Sequence, residues 1–157
     1  MKRKFWTYAA SIGLALGVGV LSALLTGGDM DIYPELVRPP LAPPAWLFPL
    51  AWTVLYILMG AGAARVYLLR GENPSAARSG LRLYAAQLAV NFLWSGIFFS
   101  LRAFLAAFLW LLLLLGLVAA MKARFSDVSR AAALMQLPYV LWLLFAAYLN
   151  FAIYLLN

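Results

Sequence analysis

Five long apolar runs take up most of this chain, at about residues 5–26, 46–69, 81–101, 103–121 and 131–156, with only short polar connections between them. A helix needs about 20 apolar residues to cross a bilayer. Every run is close to that length, and a backbone surrounded by hydrocarbon must satisfy its own N–H and C=O groups. The expected fold is therefore all-α, an integral membrane bundle of five transmembrane helices. The chain has 157 residues, which leaves no room for a separate soluble domain, so residues 1–157 are read as one membrane domain. Its residues are 66% hydrophobic and 11% charged, against roughly half and about a quarter in soluble domains.

Charge gives the bundle a direction. The net charge is +7, which in a soluble protein would suggest nucleic acid, yet the basic residues sit between apolar runs. Ten of the twelve (Lys2, Arg3, Lys4, Arg65, Arg70, Arg78, Arg82, Lys122, Arg124, Arg130) fall on the side of the N-terminus, leaving Arg38 and Arg102 opposite. The positive-inside rule then puts the N-terminus in the cytoplasm, with the first loop and the C-terminus outside, and no nucleic-acid partner is expected. Helical spans suit the cell (inner) membrane. The run after Lys2-Arg3-Lys4 is longer than a signal-peptide core and lacks a clear small-x-small cleavage site, so it is read as a retained first span. The chain has no cysteine and no histidine. That removes disulfides, thiol nucleophiles, imidazole bases and the usual metal or axial haem ligands.

Proline and aromatic residues mark where a site could lie. Residues 27–45 are expected to form a lid loop, because Pro39-Pro40 and Pro43-Pro44 cannot be helix interior and stiffen the approach to span two. Within the loop, residues 31–37 suit a short helix or turn, with Tyr33 either anchored in the interface or turned into a pocket. On span two, Trp52 and Tyr56 lie four apart on one face. Span three carries Gln87, Asn91 and Ser95 at four-residue spacing beside Trp94, and buried amides need partners, either across helices or from a ligand. Span five puts Trp142, Ala146 and Asn150 on one face, and Pro138 is expected to kink it and free a carbonyl. In span one, Gly13 and Gly17 have GxxxG spacing, read as a close helix contact within the chain rather than a dimer face.

Three stretches in this order, Arg38-Pro39-Pro40 to Met59-Gly60, Tyr84 to Phe99, and Pro138-Tyr139-Val140-Leu141-Trp142 to Asn150, resemble the translocator protein family, also called the tryptophan-rich sensory protein or TspO/MBR family. The resemblance covers nearly the whole chain. It implies a five-helix bundle, often dimeric, whose first loop closes over a pocket that accepts porphyrins. On the family pattern the ligand-binding residues are Tyr33, Pro44, Trp52, Tyr56, Asn91, Trp94, Trp142 and Ala146. There are two departures. Leu41 stands where many members have tryptophan, removing one aromatic wall at the pocket mouth. The sterol pattern of animal members does not carry over, since no Lys or Arg follows Arg130.

The expectation is thus a receptor-like membrane protein that binds protoporphyrin IX or related hydrophobic ligands and needs no cofactor. The resemblance also implies light- and oxygen-dependent porphyrin degradation, in which Trp52 and Trp142 would be redox partners, because acid/base, metal and covalent routes lack their residues. Two other functions stay open. One is transport of tetrapyrroles or other amphipaths, although the spans hold no buried acid and no visible inverted repeat. The other is a stress or tetrapyrrole sensor that acts through a partner protein.

Overall fold

The computed structural model describes residues 2–157, and its five spans are α1 (Lys2–Thr26), α2 (Leu47–Leu68), α3 (Pro74–Ser95), α4 (Phe104–Ser126) and a fifth span divided into α5 (Arg130–Leu134) and α6 (Leu137–Leu156). All five are long and apolar enough to cross a bilayer. The protein is an all-α integral membrane bundle. The helices close into a ring in which α1 packs on α2, α2 on the α5–α6 span, α6 on α4, α4 on α3, and α3 back on α1.

Two boundaries differ from the sequence reading. The third span starts at Pro74, not near residue 81, because the Asn73 side chain accepts from the Ala76 N–H and Pro74 occupies the first turn, where its missing donor costs nothing. Arg78 therefore lies on the helix, not in the loop. The fourth span runs on to Ser126, past residue 121, so Lys122 and Arg124 end a helix rather than start a loop. Both extensions are polar turns that hydropathy alone assigns to water.

Two irregularities shape the interior. Past Ser95 the third span widens into a π turn over Gly96–Ser100, where the Leu101 N–H reaches the Gly96 carbonyl at 2.9 Å. In the fifth span the break falls at Met135 and Gln136, just before Pro138, whose ring removes the donor that would serve Leu134. The Gln136 amide bridges the break, donating to Ala132 O at 3.3 Å and across to Leu58 O on α2 at 3.5 Å.

Small residues set the closest helix approach, but not the expected pair. Gly13 and Gly17 point away from the bundle, with nothing within 4 Å of an added Cβ. The face of α1 that packs inward carries Ala15, Ser22 and Thr26, with Ser11 and Gly19 beside them. A Cβ on Gly60 would lie 2.7 Å from Ile12 Cα, so two backbones meet there, and the Ser11 hydroxyl donates to the Gly60 carbonyl at 2.7 Å. Gly60→Ala is expected to lower stability by about 1–3 kcal/mol, because backbone must move, whereas Gly13→Ala leaves it within about 0.5 kcal/mol. Unfolding of the detergent-solubilised variants by heat or denaturant measures both.

Candidate functional site

The end of the bundle opposite the basic helix termini is hollow. A cavity of about 440 Å³ lies between α1, α2, α3 and α6, under the first loop. Trp52 and Tyr56 of α2 form one wall, their rings tilted together with centroids 5.7 Å apart. Trp94 forms another, stacked on Phe98 at 5.3 Å, and its indole N–H donates to Asn150 Oδ1 at 3.2 Å. The π turn is why Phe98 and Phe99 both reach the cavity, since its extra residue rotates the last turn of α3 relative to the helix below.

At the base of the cavity a chain of buried polar groups ties three helices together. The Tyr56 hydroxyl donates to Asn91 Oδ1 at 3.4 Å, Asn91 Nδ2 donates to the Tyr139 hydroxyl at 2.8 Å, and that hydroxyl donates to Gln87 Oε1 at 2.9 Å. Gln87 Nε2 ends the series on Met59 Sδ at 3.6 Å. The two amides of α3 therefore differ in role. Gln87 is fully buried and serves packing, whereas Asn91 lines the cavity and keeps one N–H and one lone pair for a ligand.

The roof is the first loop, a short 3-10 turn (Met30–Glu35) followed by the proline segment. Four side-chain contacts hold it. The Tyr33 hydroxyl donates to Pro43 O at 3.0 Å, and Tyr148 on α6 donates to Pro40 O at 2.8 Å. Asn157 clasps Val37 by two hydrogen bonds of 3.0 Å each, and Ser100 donates to Asp29 at 2.5 Å. Tyr33 is buried, packs edge-on against Phe48 at 5.1 Å, and has the Arg38 guanidinium 5.8 Å above its ring. Burial pushes its phenol above the ordinary value of 10.0, and Arg38 opposes that shift.

The sequence as a whole decides the family. The TspO/MBR family profile matches residues 11–156. The chain belongs to the TspO/MBR family. Relatives include tryptophan-rich protein TspO of Chlorobaculum tepidum, 39% identical over the whole chain and 99% of that protein. Protein CrtK of Rhodobacter capsulatus is 46% identical over 88% of this chain and 85% of its own length. The human translocator protein is 36% identical over 95% of this chain and 89% of its own.

Of the eight residues that the TspO/MBR resemblance points to, six line the cavity together: Tyr33, Trp52, Tyr56, Asn91, Trp94 and Ala146. Pro44 and Trp142 do not. Pro44 is exposed on the lid, and Trp142 stands behind Trp52, edge-on with centroids 6.5 Å apart, and against Phe48 at 6.1 Å. Leu41 is not at the mouth either. It is 81% exposed at a left-handed position (φ 69°) of a turn closed by Ala42 N–H to Pro39 O.

Sequence reasoning missed the contribution of α1. Leu16, Gly19, Ser22 and Thr26 all line the cavity, and a side chain on Gly19 would collide with the Tyr56 ring. The Ser22 hydroxyl donates to Phe92 O at 3.2 Å and lies 3.0 Å from that of Ser95, tying α1 to α3. The signal was available in the spacing of Ala15, Gly19, Ser22 and Thr26, which is one helix face.

Two measurements check this geometry. Tyr139→Phe strands the Asn91 N–H and the Gln87 carbonyl, so it is expected to cost about 1–3 kcal/mol in unfolding experiments. The difference in ultraviolet phenolate titration between the unaltered protein and Tyr33→Phe is expected to show one tyrosine ionising above 10.0. A raised folded-state value means that the Tyr33 latch stabilises the roof at neutral pH and is withdrawn as pH rises through that value. Titration at or below 10.0 would mean that Arg38 outweighs burial.

Proposed function

We propose that the cavity binds a porphyrin, with protoporphyrin IX the ligand to test first. The observation that carries this reading is a roofed cavity whose walls are the rings of Trp52, Tyr56 and Trp94 and whose base presents Asn91. A porphyrin is a flat apolar macrocycle with carboxylate edges, and such rings stack on its faces while amide and hydroxyl groups address its polar atoms. The volume of about 440 Å³ lies within the range of about 300–1,000 Å³ usual for small-molecule sites. Family membership supports a tetrapyrrole-related role in general without naming a ligand for this chain. The chain has no histidine to ligate iron, so the free-base porphyrin is the ligand of choice.

Within this reading the protein promotes light- and oxygen-dependent breakdown of the bound ring. Trp52 lends an electron to the photoexcited porphyrin, and Trp142, edge-on behind it, shares the resulting hole. Dioxygen takes the electron from the ring as superoxide, and the tryptophan pair recovers one electron from the ring. Superoxide adds to the ring cation so formed, so that both indoles end unchanged and the net reaction is addition of dioxygen to the porphyrin. The unit in the bilayer is a homodimer on the family resemblance, and the basic end faces the cytoplasm on the positive-inside count.

Titration of the purified protein with protoporphyrin IX in the dark is expected to quench tryptophan fluorescence saturably, and Asn91→Ala to weaken binding by about fivefold or more. Illumination of the complex should give a new absorption spectrum. Trp142→Phe should leave dark binding intact and slow the light reaction. Unchanged degradation in Trp52→Phe, Trp142→Phe would end the redox assignment, and absence of saturable quenching would end the porphyrin reading itself.

A further inference from the structure

The first loop does not stay above the end of the bundle. Asn157, at the end of α6, clasps the Val37 backbone, and three residues later Pro40 O accepts from the Tyr148 hydroxyl. Tyr148 precedes Asn157 by nine residues, about 13 Å along the helix. Side chains on a helix lean toward its N-terminus, so Tyr148 meets Pro40 at or below its own level. Three extended residues cover about 10 Å. The proline segment therefore runs down the flank of α6, and Pro40 comes to rest about two turns below the end of that helix. Tyr148 shares its face of α6 with Leu141, Leu144 and Leu155, all exposed, so this flank is turned to lipid.

The segment is built for a place with little water. Residues 39–44 include four prolines, so only Leu41 and Ala42 carry a backbone N–H. The Ala42 N–H goes to Pro39 O at 3.2 Å, and the carbonyls of Pro40, Pro43 and Pro44 accept from Tyr148, Tyr33 and the Leu47 N–H. Irregular backbone is tolerated at membrane depth only where its polar groups are met. The Leu41 N–H is the one donor of the segment with no partner among the described residues, and ester carbonyls just above the acyl chains can accept from it.

Leu41 stands at the tip. It holds a left-handed conformation (φ 69°) that glycine or asparagine adopts at less cost, and its side chain is 81% exposed, more than any other large apolar residue described. Trp46, also exposed, follows the same segment. An outward leucine gains nothing from water, whereas acyl chains bury it.

We propose that the tip of the first loop, residues 39–42, is anchored in the bilayer leaflet at the cavity end, with Leu41 among the acyl chains, so that the membrane itself holds the roof shut. The loop expected outside the membrane thus reaches back into it.

The chain has no cysteine, so Leu41→Cys places a single spin label, with Leu144→Cys on the lipid face and Glu35→Cys on the exposed roof as references. The full-length proteins are reconstituted in phosphatidylcholine vesicles, and the labels are relaxed by oxygen, which concentrates in acyl chains, or by a water-soluble nickel chelate. The label at Leu41 is expected to match the one at Leu144, with oxygen outweighing nickel, and to differ from the one at Glu35. Amide hydrogen exchange over residues 36–47 gives a second readout. Leu41→Asn keeps the left-handed turn but not the apolar contact, so it should speed exchange about tenfold in vesicles, and Leu41→Met should restore the slow rate. A label at Leu41 that follows the one at Glu35 puts the tip in water and overturns the proposal. Shielding from both relaxants also overturns it, since protein would then cover the tip, and so does exchange indifferent to Leu41→Asn. No porphyrin is involved, so the outcome is independent of the ligand reading.

Discussion

Hydrogen bonds that cannot be exchanged for water hold this bundle in register. The series from Tyr56 through Asn91 and Tyr139 to Gln87 joins α2, α3 and α6 at mid-depth. In hydrocarbon each unmet partner is costly, so these three helices have little freedom to slide or rotate relative to one another. Gly60 meeting Ile12 backbone to backbone, and the Ser22 contacts, fasten α1 to the same frame.

The two sides of that polar layer are built differently. Toward the basic end the interior is filled by Met59, Val66, Val118, Met121 and Phe125, all fully buried. Toward the other end the helices diverge around a cavity, and large rings line the space without filling it. This division suits a binding protein, since the packed half and the polar layer fix the walls of the hollow half. The roof is similarly fixed, because the proline segment is stiff and its carbonyls at Pro40 and Pro43 are taken by Tyr148 and Tyr33.

Two departures from regular helix contribute to the site. The π turn over Gly96–Ser100 brings Phe98 and Phe99 to the cavity, and it ends in Leu101 and a left-handed Arg102 that turns the chain toward α4. The break before Pro138 is bridged by the Gln136 amide, and the unbroken α6 beyond it turns Ala146, Leu149 and Asn150 to the cavity. Trp142 lies on the same helix a turn before Ala146, where it packs against Phe48 and Trp52 and does not line the space.

The sequence by itself determined the fold class, the number of spans and the segregation of basic residues to one end, because length and hydropathy answer directly to the thickness and dielectric of the bilayer. It also marked the polar residues of spans two and three, since amides and phenols stand out against leucine and must turn inward. Only the tertiary structure decided which apolar face of each helix is interior. In α1 two small-residue faces compete, one at Ala15, Gly19, Ser22 and Thr26 and one at the GxxxG pair Gly13 and Gly17; spacing marks both, and only the packing shows that the first is interior and the second faces outward. The place of Trp142 was hidden as well, because an indole is as much at home against the rings of Trp52 and Phe48 as against a ligand.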